Sequence, residues 1–161
     1  MSQAKPEYGL VPPATAASMT GLELLQEMIA GRLPGPPILE TLDFTVTEVE
    51  HGRAVFAGVP QLKHYNPLGT VHGGYTATLL DSCMGCAVHS TLPKGIGYTT
   101  LEFKVSLIRA LTKDTGLVRA EGKVLNAGRR AATAEGRLTD ANGKLLAHAT
   151  TTCLVFELPR S

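Results

Sequence analysis

The sequence predicts an α+β fold, a curved antiparallel sheet wrapped around one long central helix with an extra N-terminal helix in front. Three observations predict it. The stretch Gly73 to Val88, GGYTATLLDSCMGCAV, is mostly apolar and carries one charge, Asp81; a helix that is apolar nearly all round is a buried one. Six segments alternate apolar with polar residues, or run apolar, between turn signals, as strands do. Their order is helix, two strands, long helix, four strands, and a single apolar helix among antiparallel strands needs a sheet to wrap it.

Residues 1–18 hold three prolines and little pattern, and read as a draped arm. Thr20 to Glu23 is T-x-x-E, a capping box. Leu22, Leu25 and Ile29 follow at helical spacing, and Gly31 stands where a helix stops. LPGPP at 33–37 reads as a rigid connector. Leu42 to Glu50 alternates, with Leu42, Phe44, Val46 and Glu48 on one face. His51-Gly52 turns into a second strand, Arg53 to Val59. A loop over 60–71 leads to the long helix, which ends near Ser90 before Pro93 and Gly95. In the third strand Leu101, Phe103, Val105 and Leu107 alternate against Glu102, Lys104 and Ser106. Strands over Leu117–Leu125, Arg130–Leu138 and Leu145–Phe156 complete the set, the last two joined by Asp140-Ala141-Asn142-Gly143, a hairpin signal. Residues 1–37 are thus an arm and short helix ahead of a single folded body over 38–158.

Composition narrows the function. A chain of 161 residues with 43% apolar content can bury one core. A net charge of +1 gives no electrostatic case for nucleic acid or an anionic membrane. The N-terminus lacks the basic start and apolar stretch of a secretory signal, and no apolar run approaches the roughly 20 residues needed to span a bilayer. Three cysteines, Cys83, Cys86 and Cys153, make no even disulfide framework. The expectation is a cytoplasmic protein with reduced thiols.

Chemistry concentrates around the long helix. A buried, unpaired carboxylate costs on the order of several kcal/mol, so Asp81 needs a partner or a use. His72-Gly73-Gly74 stands where the helix begins. Glycines there expose backbone N–H groups without obstruction, and the helix N-terminus adds free donors and partial positive charge, which suits a developing oxyanion. Gly73 and Asp81 are eight residues apart, about 12 Å along a helix axis. For both to act on one carbonyl, the acid must come from a second subunit; two antiparallel helices across a two-fold axis would create two equivalent sites.

The run NPLGTVHGGYTATLLDSCMGCAVHS resembles the hotdog-fold acyl-CoA thioesterases of the phenylacetate-degradation (PaaI-like) type. That family's pattern is Asn or Gln, HGG six residues on, and Asp or Glu nine residues after the His. Asn66, His72-Gly73-Gly74 and Asp81 keep both spacings, and YTTLEFKVSLIRAL extends the likeness, so that it covers about 38–157 and makes the body a hotdog thioesterase domain. The resemblance implies that Asp81 is the catalytic carboxylate, as general base or nucleophile. It implies that the Gly73 amide polarises the thioester carbonyl, with Gly74 beside it at the substrate. Asn66 would position water or hold the loop, His72 would support the turn, and Thr100 matches a hydroxyl that orients water. Arg129 and Arg130, with Lys123 and Arg109, could meet coenzyme A phosphates, although solvated strand ends are the commoner meaning of such charges. The implied reaction hydrolyses an acyl- or aryl-CoA to free acid and CoA without metal or redox cofactor, in a homo-oligomer that is at least a dimer and, by resemblance, a tetramer.

Other readings are weaker. Cys83-Met84-Gly85-Cys86 is C-x-x-C, but it lies more than two turns into the helix and no second pair completes a zinc site, so core cysteines are expected. His64 and His89 lack ligand spacing and read as surface or loop residues. A hotdog dehydratase or hydratase would pair a His with the acid. A non-catalytic acyl-CoA-binding module would not need Asp81.

Overall fold

The computed structural model describes residues 7–159; residues 1–6, the first part of the expected arm, and 160–161 lie outside the described residues. The arm contains a short helix, α1 (Pro13–Ala17), and Tyr8 pairs with Gly35. Helix α2 (Gly21–Ile29) starts at the expected capping box, with Thr20 and Glu23 each accepting from the other's backbone. Gly31 follows it with φ +72°, the left-handed conformation that glycine adopts without strain.

The connector at 33–37 runs directly into a helix absent from the sequence reading, α3 (Pro37–Leu42). Pro37 is its first residue, where a missing N–H costs nothing and a fixed φ suits the helix. Leu42 therefore closes a helix and does not open the strand. β1 (Phe44–Glu50) begins after Asp43, whose backbone is left-handed at φ 51°. A bulge between Val46 and Glu48 breaks the expected alternation: Val49 packs toward the core and Glu48 turns outward to Arg53 and Arg119.

The remaining elements are β2 (Arg53–Gly58), α4 (Gly73–His89), β3 (Ile96–Leu107), β4 (Val118–Ala127), β5 (Ala131–Asp140) and β6 (Leu145–Glu157). They form one six-stranded antiparallel sheet in the order β1-β2-β4-β5-β6-β3, with α4 packed against it. This is the expected α+β architecture. Leu79, Leu80, Met84 and Val88 of α4 are fully buried, as are Val55, Val118 and Leu138 of the sheet.

Two paired glycines set the depth of α4. Gly122 and Gly136 face each other across β4 and β5. A Cβ on Gly122 would collide with the Cys83 carbonyl oxygen, and one on Gly136 would lie 2.9 Å from Met84 Cγ. The Cys83 carbonyl belongs to the helix backbone and cannot swing aside. Gly122→Ala is therefore expected to cost about 3 kcal/mol, the upper end of ordinary overpacking, read as a lower urea midpoint at unchanged slope.

β3 is an edge strand, and three of its apolar residues are exposed. Leu101, Phe103 and Leu107 are 58%, 40% and 58% exposed. The alternation read from the sequence is present, but within one chain Val105 is the member of that face that packs against the core. Among the described residues no helix is long and apolar enough to cross a membrane.

Candidate active site

The loop before α4 is shaped by its own side chains. Asn66 accepts from the N–H of Leu68 (2.9 Å) and of Thr70 (3.3 Å), and its amide donates to Thr70 Oγ (2.9 Å). Asn66 therefore ties the turn together, as an Asx residue does. His72 is the N-cap of α4: its Nδ1 accepts from the Gly74 N–H at 2.8 Å. The Gly74 amide is thus engaged within the chain. Gly73 lines a cleft of about 270 Å³ with Asn66, Thr70, Thr76 and the segment Leu107–Leu111. The Val71 N–H donates to the Leu111 carbonyl at 2.9 Å and fixes that segment against the helix start.

Asp81 lies two turns further along α4. It is half-buried within one chain, where its apolar surroundings in the sequence suggested full burial. Its Oδ1 accepts from the Thr100 hydroxyl at 3.0 Å. Thr100 sits beside a bulge in β3 between Thr100 and Glu102. The acid is half-buried and hydrogen-bonded to the sheet through Thr100.

The structure joins Asp81 to Thr100, and His72 to Gly74, and sets Asn66 and Gly73 in one cleft. It does not bring Arg129 or Arg130 to them. Both arginines are exposed at the β4–β5 turn and line a cleft of about 480 Å³ with Thr91, Leu92 and Pro93, past the C-terminal end of α4. Along the axis that end is about 24 Å from Gly73. The cleft wall from Leu107 to Leu111 holds Arg109, which the sequence offered as a CoA-phosphate contact, and ends the segment YTTLEFKVSLIRAL that extends the family likeness.

Cys83 is fully buried and its thiol donates to the Leu80 carbonyl at 3.2 Å. Burial raises its pKa strongly, and burial pushes the Cys86 thiol up to about 12. Neither is a ready thiolate. Among the described residues no three His, Cys, Asp or Glu gather as a metal site.

His64 corrects the surface-or-loop expectation. It ends a 3₁₀ turn, Leu62–His64, yet is 6% exposed, with its ring stacked on Tyr75 at a centroid distance of 4.5 Å. His89 is half-buried at the end of α4, its ring against Tyr98. Each contact joins neighbouring elements, His64 to the start of α4 and the end of α4 to β3. Burial is the largest influence on each and lowers both imidazole pKa values below the ordinary 6.5. The unfolded chain protonates these rings near 6.5 and the folded one resists. Their stabilising contribution is thus complete above about pH 6.5 and is lost progressively as pH falls below it. The melting temperature is expected to drop between pH 7.5 and 5.5, where most carboxylates stay ionised; a flat profile contradicts this.

Comparisons with known proteins agree with the geometry. The profile of the Thioesterase superfamily matches residues 68–147, which span the end of the cleft loop, α4, β3, β4, β5 and the start of β6. A phenylacetic acid degradation-related protein of Ralstonia eutropha JMP134 superposes with a TM-score of 0.73 at 30% identity, over 81% of this chain and 98% of that one. The phenylacetic acid degradation protein PaaI of Thermus thermophilus, solved as a single-substitution mutant, superposes with a TM-score of 0.66 at 31% identity, over 73% and 97%. The 1,4-dihydroxy-2-naphthoyl-CoA hydrolase of Listeria monocytogenes is 28% identical over 108 residues, 66% of this chain and 85% of that one. Matched at 30% identity or more to solved relatives along nearly their whole length, with the same helix-in-sheet architecture, the chain belongs to the Thioesterase superfamily and has the hotdog fold.

Proposed function

We propose that this thioesterase hydrolyses acyl-CoA thioesters, aryl-CoA among them, to the free acid and CoA at a site shared by two copies of the chain. One observation carries the reading. Asp81 is half-buried and hydrogen-bonded to Thr100, about 12 Å along α4 from the Gly73 amide. A carbonyl held at Gly73 would meet the Asp81 of a second, antiparallel α4. The uncovered apolar edge β3, with Leu101, Phe103 and Leu107, supports pairing of two sheets. A dimer is the minimum, and a tetramer follows by resemblance.

In this scheme the Gly73 N–H and the positive end of α4 take the charge that develops on the thioester oxygen. Asp81 removes the proton from an attacking water, or attacks the carbonyl itself to give an anhydride that water then opens. Either route expels CoA thiolate and leaves the acid, and Thr100 orients the carboxylate or the water. Asn66 and His72 keep the loop and the helix start in place, and Gly74 leaves the first turn open to the substrate. Arg129 and Arg130, far from Gly73 in their own chain, are assigned to the CoA phosphates as a contact made across the assembly. The chemistry calls for no metal or redox cofactor. The Listeria enzyme's CoA thioester supports the substrate class. The test is free-thiol release from a panel of short, long and aromatic acyl-CoAs. Turnover of none of them by folded protein contradicts the reading. Full activity in a sedimenting monomer contradicts the shared site.

A further inference from the structure

We propose that neutral His64 is a positioning residue for the oxyanion donor: it locks the cleft loop against the first turn of α4, and its protonation releases that lock. The inference rests on the reading that the Gly73 amide holds the thioester carbonyl.

His64 touches both sides of Gly73. Its backbone carbonyl accepts from the His72 N–H at 2.8 Å, and its ring lies on Tyr75 with 23° between the planes. Its Nδ1 accepts from the Gln61 N–H at 3.0 Å, closing the 3₁₀ turn on itself. The His64 backbone thus ties the loop that carries Asn66 to the residue before Gly73, and its ring ties the loop to Tyr75, two residues after Gly73. A shift of about 1 Å in such a support can cost on the order of 10²-fold in rate.

The tautomer follows from the Gln61 contact. A nitrogen that accepts carries no proton, so the ring proton is on Nε2. Nε2 lies 3.7 Å from Asp43 Oδ2, which is ion-paired with Lys63 Nζ at 2.5 Å. His64 Nε2 and Tyr75 Oη are both buried without a hydrogen-bond partner in the structure. Asp43 itself holds a left-handed backbone at φ 51°, rare for a residue with a side chain. Unsatisfied buried donors beside a strained residue are uncommon where packing alone is served.

Protonation would put a second donor on Nδ1, facing the Gln61 N–H. Donor would meet donor, and the turn would open. The groups facing the ring are Asp43 from the α3–β1 junction, Lys63 from its own turn, and Tyr75 and His72 from the start of α4. Burial and the Lys63 charge oppose the imidazolium, and Asp43 favours it. The Tyr75 phenol, pushed up to about 12, stays neutral throughout.

The experiment compares His64→Leu, His64→Asn and Asp43→Asn in the full chain, reading kcat, KM, the pH profile of kcat and thermal melting. His64→Leu is expected to lose about 10–100-fold in kcat per folded site with KM nearly unchanged. His64→Asn, whose side-chain oxygen can accept from the Gln61 N–H, is expected to recover most of that loss. Asp43→Asn is expected to move the acid limb of kcat to lower pH, since the charge favouring the imidazolium is gone. A folded His64→Leu protein with wild-type kcat, or an Asp43→Asn limb that does not move, overturns the inference. With Asp81→Asn inactive and His64→Leu unaffected, this inference alone fails; with Asp81→Asn active, the site itself is misplaced.

Discussion

Asp81→Asn is expected to lower acyl-CoA hydrolysis by at least about 10²–10⁴ and to leave fold and assembly intact. That range is the usual contribution of a positioned general base, and loss of a nucleophile would exceed it. Asn is nearly isosteric with Asp, and its amide oxygen can still accept from the Thr100 hydroxyl that now donates to Asp81 Oδ1. It cannot attack as a carboxylate or accept a proton from water. Steady-state thiol release with thermal melting separates chemistry from stability. A folded variant within a few-fold of the wild-type rate would remove Asp81 from the reaction and favour a non-catalytic acyl-CoA-binding module.

Gly73→Val acts on the other half of the site. A Cβ at Gly73 would come within 2.8 Å of Leu107 Cδ1, the flexible end of a side chain on a residue that is itself 58% exposed. Leu107 can yield, so the folding cost is modest. The valine methyls would stand over the amide and fill the cleft beside Thr76 and Leu111. Loss of one oxyanion donor lowers kcat by about 10²–10³, and this variant is expected to fall in that range with melting little changed. Near-normal turnover would place the carbonyl elsewhere.

What could be read from the sequence was whatever depends on local pattern. The single charge in GGYTATLLDSCMGCAV exposes α4 and Asp81 at once, because a helix apolar nearly all round is a buried one and a lone acid stands out in it. The T-x-x-E box fixes the start of α2 for the same local reason. Features that depend on distant segments were hidden. LPGPP at 33–37 reads as a rigid connector, yet its last residue, Pro37, opens α3. The bulge at Val46–Glu48 has no residue signature and turns Glu48 toward arginines on β2 and β4. His64 looks like a loop residue until the Tyr75 ring and the Asp43–Lys63 pair close over it. Alternation in β3 revealed a strand, but not that one chain leaves Leu101, Phe103 and Leu107 exposed. Arg129 and Arg130 were legible as charges, whereas their place beyond the far end of α4 is a property of the β4–β5 turn.

The central claim is that Gly73 of one copy works with Asp81 of another. Inactive Gly73→Val and inactive Asp81→Asn chains, unfolded together and refolded at equal ratio, test it directly. Random pairing makes half the dimers mixed, and each mixed dimer has one site with both residues native, so about a quarter of all sites are restored. The account predicts recovery of about a quarter of wild-type thiol release. Activity no greater than that of the two parents, in a mixture shown to contain mixed dimers, would contradict it.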